Sequence, residues 1–160
     1  MSDIRVIVTG SRDYPTPEHV HAALTAALFT CCGGPSATLT VVHGACPTGA
    51  DAFAHEWCQQ TDNIVAGVLE EPHPADWDTC TPACYHRPRT NPDGSNRCPA
   101  AGPRRNTEMV ERGADLVLGF PLDGPRSKSR GTYDCMDKAI GVIPVWFRTP
   151  SAHELTEARR

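Results

Sequence analysis

Cys80, Cys84, His86 and Cys98 stand in the pattern Cys-x3-Cys-x-His-x11-Cys. Three thiolates and one imidazole make a donor set for a closed, structural zinc site with no position left for water. The x3 spacing lets Cys80 and Cys84 grip from one turn, and His86 follows on the same knuckle. Cys98 closes the loop after Asn91-Pro92-Asp93-Gly94, which reads as a turn. A stretch this long with almost no aliphatic residue cannot build a core and needs an anchor of this kind. The alternatives are a disulfide or unpaired thiols. Residues 1–8 carry no basic, apolar leader, so a reducing, cytoplasmic setting is expected, where clustered cysteines favour metal. Cys31, Cys32, Cys46, Cys58 and Cys135 read as small apolar packing residues.

A second set of residues is chemically suited to an anion. Thr9-Gly10-Ser11-Arg12-Asp13 offers a glycine for close backbone approach, a hydroxyl and a guanidinium that can grip a phosphate twice. His43-Gly44-Ala45-Cys46-Pro47-Thr48-Gly49-Ala50-Asp51 is a glycine-punctuated loop whose helix start can hold an anion, with Asp51 placed to orient a ribose hydroxyl or simply to complement the helix dipole. Arg104, Arg105 and Asn106 follow Pro103, which reads as the start of a helix. Cations in a first turn oppose the dipole, so the pair implies an anion nearby, or else a solvated face with Glu108. Ser129-Arg130-Gly131-Thr132 repeats the cradle pattern at another helix start, where Thr132 could equally be a plain N-cap.

These loops need strands and helices to bring them together. Residues 4–8, 39–42, 64–69, 115–120 and 142–147 read as strands, from β-branched or apolar runs closed by turn residues. Between them, helices open at Thr16-Pro17, Thr48-Gly49, Pro103 and Thr132, with Val20, Ala23, Leu24, Ala27 and Leu28 on one face of the first. The alternation predicts an α/β fold, Rossmann-like, with a mostly parallel sheet flanked by helices and a small zinc-stabilised insertion at residues 78–100. Residues 1–150 form one domain and 151–160 a polar tail that frays. The sites of such sheets lie beyond the carboxyl ends of the strands, where all four loops fall. The 160 residues carry a net charge of −4 and no apolar run long enough for a membrane span. That acidic balance and the sparse aromatics argue against a nucleic-acid binder, which needs basic grooves and stacking platforms.

The ordered motifs "VTGSRD", "VHGACPTGADAFAHEW", "AGPRRNTEMVERGADLVLGFP" and "SRGT" resemble the YspA-like branch of the SMF/DprA-LOG (SLOG) superfamily, over residues 4–147. The resemblance implies a Rossmann-like fold and a nucleotide or nucleotide-derived ligand. In the LOG branch, phosphoribohydrolases cleave the N-glycosidic bond of nucleoside 5′-monophosphates; the DprA branch binds single-stranded DNA. Arg105 matches the LOG arginine, and Gly131-Thr132 match its Gly-Thr. The LOG glutamate is replaced by Cys135, with Asp134 one residue earlier. Other members pass from "HPADW" to "AAGPRRN" within a few residues, so residues 78–99 are an insertion, a lid or wall on the ligand site or an oligomer contact.

The expected function is therefore binding of a phosphorylated, nucleotide-like molecule by Gly10, Ser11, Arg12, Gly44, Gly49, Asp51, Arg104, Arg105, Asn106, Gly131 and Thr132, with Zn2+ at Cys80, Cys84, His86 and Cys98. The alternatives are an N-glycosidase of nucleoside monophosphates, with Arg105 and Asp134 as catalytic candidates, and a single-strand nucleic-acid binder. The resemblance also implies a homodimer, with Trp57 and the helix of residues 103–112 as candidate contacts.

Overall fold

The computed structural model describes residues 3–31, 37–62, 67–151 and 153–156. The described elements run β1 (Ile4–Gly10), α1 (Pro17–Cys31), β2 (Leu39–His43), α2 (Ala50–Asp62), β3 (Val68–Pro72), α3 (Ala101–Glu111), β4 (Leu116–Phe120), a 3-10 turn (Arg126–Ser129), α4 (Arg130–Ala139), β5 (Val145–Arg148) and β6 (His153–Thr156). The sheet order is β3-β2-β1-β4-β5-β6. Strands β1 to β5 pair in parallel, and β6 pairs antiparallel to β5. The chain thus winds outward from β1 in one direction and then returns to start again at β4. The switch point between β1 and β4 opens a crevice at the carboxyl ends of both strands.

Each face of the sheet has its own core. Val6, Val8, Leu39, Val41 and Val68 pack under α1 and α2 with Val20, Leu24, Ala54 and Trp57. On the other face Ile7, Val42, Val117 and Val145 meet Met109 of α3 and Cys135, Met136 and Ala139 of α4. The alternation of side chains along a strand, with helices on both sides, explains why Val6, Ile7 and Val8 of β1 and Val41 and Val42 of β2 are apolar in unbroken succession.

Several boundaries differ from the sequence expectation. The third strand spans Val68–Pro72 instead of residues 64–69, and residues 64–66 lie outside the described ones. Glu70, Glu71 and Pro72 hide it from a hydrophobicity reading. They are tolerated because β3 is an edge strand, and an edge tolerates proline. Both glutamates are satisfied: Glu70 accepts from His43 and His55 at 2.7 Å each, and Glu71 is held by Arg5 and His73. The last parallel strand begins at Val145, since Gly141 takes a left-handed turn at φ 92° that ends α4. The tail does not fray throughout: His153–Thr156 adds to the free edge of β5, whose backbone groups need partners. No described helix is long and apolar enough to cross a membrane.

Candidate functional site

Four strand-end segments converge on one cleft of about 920 Å³, the size range of small-molecule sites. Its lining includes Gly10, Ser11, Arg12, Gly44, Asp51, Arg105, Asn106, Gly131, Thr132 and Asp134, and not Gly49 or Arg104.

The convergence is built by close packing at glycines. A Cβ on Gly10 would lie 2.3 Å from that of Ala50, so α2 can start against the end of β1 only if residue 10 is glycine. Gly49, at φ +70°, turns the backbone there, and its missing Cβ would sit 2.1 Å from the Ser11 carbonyl oxygen. That oxygen accepts the Ala50 N–H at 3.3 Å, locking the first two loops together. Gly49 therefore serves loop packing and does not face the cleft. Tyr14, 2% exposed and edge-on to Phe120, anchors the far side of the β1 loop. Arg12 is left exposed at its crest.

Gly44 is explained by Arg105. A Cβ there would fall 1.8 Å from Arg105 Nη1. The guanidinium lies across residue 44, donating to the Gly44 carbonyl at 2.5 Å and to the His73 carbonyl at 3.1 Å, while Nε donates to Asn106 Oδ1 at 3.0 Å. Arg105 thus ties α3 to the β2 and β3 ends. The same loop is held from below by Asp51, 6% exposed, which accepts from the N–H groups of Cys46 and Gly44. Burial raises the Asp51 pKa, against the pull of Arg105. Ala45 takes a left-handed φ of 55°, and its N–H donates to His43 Nδ1 at 3.1 Å. His43 therefore carries its proton on Nε2 and gives it to Glu70, so the His43, His55 and Glu70 cluster is a hydrogen-bonded chain.

Arg104 and Arg105 are not cations at a bare helix start, and they do not report an anion there. Helix α3 begins at Ala101, Pro103 occupies its first turn, and the Arg104 N–H already bonds the Ala100 carbonyl at 3.0 Å. Neighbouring positions on a helix point about 100° apart, and the two arginines separate accordingly. Arg104 leaves the cleft: Nη1 donates to Cys84 Sγ and Cys98 Sγ at 3.1 Å each and Nη2 to the Thr79 carbonyl at 2.9 Å.

Asn106, 2% exposed, links α3 to α4 by donating to the Gly131 carbonyl at 3.0 Å and to Asp134 Oδ2 at 2.9 Å. The Asp134 carboxylate also accepts from Lys138 Nζ at 2.6 and 2.7 Å, so it reaches the cleft already paired with a cation. Cys135, at the position of the LOG glutamate, is fully buried against Thr9, and burial pushes its thiol up to about 11. Thr132 is not the N-cap of α4. Ser129 is, and its hydroxyl is spent on the Leu122 N–H at 2.8 Å. Gly131 stands apart from the other cleft glycines, because a Cβ there would meet nothing within 4 Å. The fold's own packing does not require this glycine. Lys128 and Arg130 flank it on the lining, and these two and Arg12 have no ion pair among the described residues. Arg130 is legible in the sequence within the Ser129–Thr132 pattern, whereas Lys128, a single cation in a Gly/Pro/Ser loop, carries no motif that would single it out.

The Cys/His cluster forms the neighbouring wall. The donor atoms of Cys80, Cys84, His86 and Cys98 all lie within 4.8 Å of one another. Cys84 Sγ and Cys98 Sγ are 3.7 Å apart, and His86 Nε2 is 3.6 Å from Cys80 Sγ and 3.5 Å from Cys98 Sγ. Bonds of about 2.3 Å to sulfur and about 2.05 Å to nitrogen at a tetrahedral angle give edges of about 3.75 and 3.55 Å. The cluster thus has the size of a tetrahedral zinc site, and the sulfurs are too far apart for a disulfide. His86 Nδ1 donates to the Arg87 carbonyl at 2.8 Å, which leaves Nε2 free as a ligand. Burial disfavours the Cys98 thiolate, yet Arg104 and His86 offset it and lower the thiol to about 6. The predicted turn is present, closed by Gly94 N–H to the Asn91 carbonyl at 2.9 Å.

Residues 4–79 match the family described as YspA, cpYpsA-related SLOG, so the match ends where the Cys/His insertion begins. The chain is also 36% identical over 142 residues to the "Gene 61 protein" of Mycobacterium phage D29, covering 88% of this chain and 93% of that protein. The chain belongs to the YspA, cpYpsA-related SLOG family. No solved structure matches it. The matched residues carry β1 to β3 and the first two of the four converging loops, and the insertion adds the cluster beside them.

Proposed function

We propose that this SLOG domain binds a nucleotide or nucleotide-derived phosphorylated molecule in the β1/β4 cleft, with a structural Zn2+ in the Cys/His insertion. The observation that carries the reading is Gly131: an open, unfilled position at the start of α4, beside Arg130 and Lys128 and across from Arg12. A helix start facing a cleft lined with cations that make no ion pair among the described residues favours phosphate. Arg12, Lys128 and Arg130 are the charged grips in this reading. Arg105 keeps the β2 loop in place, and Asn106 and Asp134 hold α3 against α4. Calorimetric titration with nucleoside 5′-monophosphates and with ribose 5-phosphate tests it: saturable binding that Arg12→Ala weakens supports the reading, and no binding of any phosphorylated compound rejects it.

The N-glycosidase alternative places Asp134 at the reacting centre. Its engagement by Lys138 and Asn106 favours binding over hydrolysis, since a catalytic carboxylate must be free to move a proton or meet a developing cation. Chromatography for free base after incubation with each monophosphate separates the two. The expected result is none.

A homodimer remains part of the proposal, but not through Trp57. That side chain is 5% exposed, and its Nε1 donates to Thr25 within the same chain. The outer face of α3 is the remaining candidate contact, and light scattering is expected to give twice the 17.3 kDa chain mass.

A further inference from the structure

We infer that Trp77 is the platform on which the base of the bound nucleotide stacks, and that metal in the Cys/His cluster holds it in place. The inference rests on the nucleotide reading above.

Trp77 sits in a polar turn, between Asp76 and Asp78, and belongs to neither core cluster, whereas Trp57 and Trp146 both pack with the first. A large aromatic side chain that no core uses, half-buried on the wall of a cleft, has its indole surface available to a ligand. Its position is set from three sides. Arg12 lies over the ring with Cζ 5.6 Å from the centroid, joining the aromatic surface to a cation of the phosphate-binding set. The ring edge rests on the first turn of α3 at Gly102, where a Cβ would come within 3.2 Å of the indole. The Trp77 carbonyl accepts the Cys98 N–H at 2.7 Å. Cys98 is the fully buried member of the cluster, so the backbone of the platform is bonded directly to that of a metal ligand.

Aromatic bases stack on indole with little regard to which base it is, because every base presents a π face. The chemistry predicted is a cationic end for the phosphate and an indole wall for the base. Loss of metal releases Cys80, Cys84, His86 and Cys98 from one another, and the turn carrying Trp77 loses its anchor while the loops after β1 and β4 keep their own backbone bonds, Ser11 N–H to the Phe120 carbonyl and Leu122 N–H to Ser129 Oγ.

The test compares AMP, GMP, CMP and UMP with ribose 5-phosphate, which has the same phosphate and sugar and no base, by calorimetry on the full chain. Wild type is expected to bind at least one monophosphate about 5- to 150-fold more tightly than ribose 5-phosphate. Trp77→Ala should erase the ratio between that monophosphate and ribose 5-phosphate, with ribose 5-phosphate itself weakened only by the lost Arg12–indole contact, and Trp77→Phe should keep most of the ratio. Zinc-stripped protein should behave as Trp77→Ala does. If Trp77→Ala keeps the preference for the monophosphate, or if wild type has none, the platform is wrong while phosphate binding stands. If neither class of compound binds, the nucleotide reading falls with it. Equal monophosphate affinity before and after zinc removal overturns the metal's part.

Discussion

At the scale of single residues, the cleft glycines and arginines have separable duties, and that separation can be measured. Gly131→Ala places a methyl where nothing lies within 4 Å, inside a helix. It should raise stability by about 0.5–1 kcal/mol, because alanine loses less backbone freedom than glycine on folding, and yet weaken binding of a phosphorylated ligand by filling the cradle. Denaturant titration and calorimetry on one variant check both signs. Arg105→Ala and Arg12→Ala should diverge in the opposite sense. Arg105 satisfies the carbonyls of Gly44 and His73, so its removal is expected to cost about 1.5–3 kcal/mol of stability in the ligand-free protein. Arg12 is exposed, and its loss should lower affinity while leaving the unfolding midpoint almost unchanged. Equal stability of the two variants would contradict these assignments.

Among the elements, the insertion and the sheet are held by different forces. Residues 78–100 have no core of their own, and their regular structure is the isolated bridge Thr90 to Asn96. The sheet has two apolar cores, and neither includes any of these residues, not even the buried Cys98. Elemental analysis is expected to find about one zinc per chain. Cys80→Ser should speed amide hydrogen exchange in residues 78–100 while the β1, β2 and β4 amides stay protected. Global unfolding of that variant would mean that the cluster supports the sheet as well. Arg104 ties the insertion to α3, because its guanidinium lies against two of the thiolate sulfurs and partly balances their charge. Arg104→Ala should therefore weaken zinc retention against a competing chelator and leave phosphate binding in the cleft intact.

Across the whole molecule, acid sensitivity traces to the polar face of β3. Arg5 on β1 pairs with Glu71, which His73 also contacts at 2.6 Å and Arg112 approaches at 3.8 Å. The hydrogen bond from Arg5, with help from His73 and against the effect of burial, lowers the Glu71 pKa from 4.5 to about 2. A carboxyl held below its unfolded value adds stability that is fully present above about 4.5 and is lost as pH falls toward 2. Wild type should therefore exceed Glu71→Gln in stability at pH 7, and the gap should narrow through that window. Chemical denaturation at pH 7, 4 and 3 follows it, and a constant gap would contradict the assignment.

The sequence by itself was enough for the alternating architecture, for four loops gathered at the strand ends and for a Cys3His cluster. These follow from local causes: β-branched runs, helical periodicity, turn residues and ligand spacing. Proximity along the chain could not say which way a side chain points once its helix is seated. The start of α3 at Ala101 turned Arg104 to the thiolates and Arg105 to the Gly44 carbonyl, a choice that depends on helix phase. Nor could glycine content tell packing from ligand approach. Gly10, Gly44 and Gly49 are small because other parts of the protein press on them, and Gly131 is small with nothing there. The edge strands escaped notice for a related reason. β3 is half polar and the tail mostly polar, and both are strands because a neighbouring edge offers backbone partners, which no hydrophobic pattern records. Trp77 is an ordinary residue of "HPADW" in the sequence, because its meaning lies in what it meets: Arg12 from one loop, Gly102 from α3 and Cys98 from the far end of the insertion. Only the tertiary structure brings those three together.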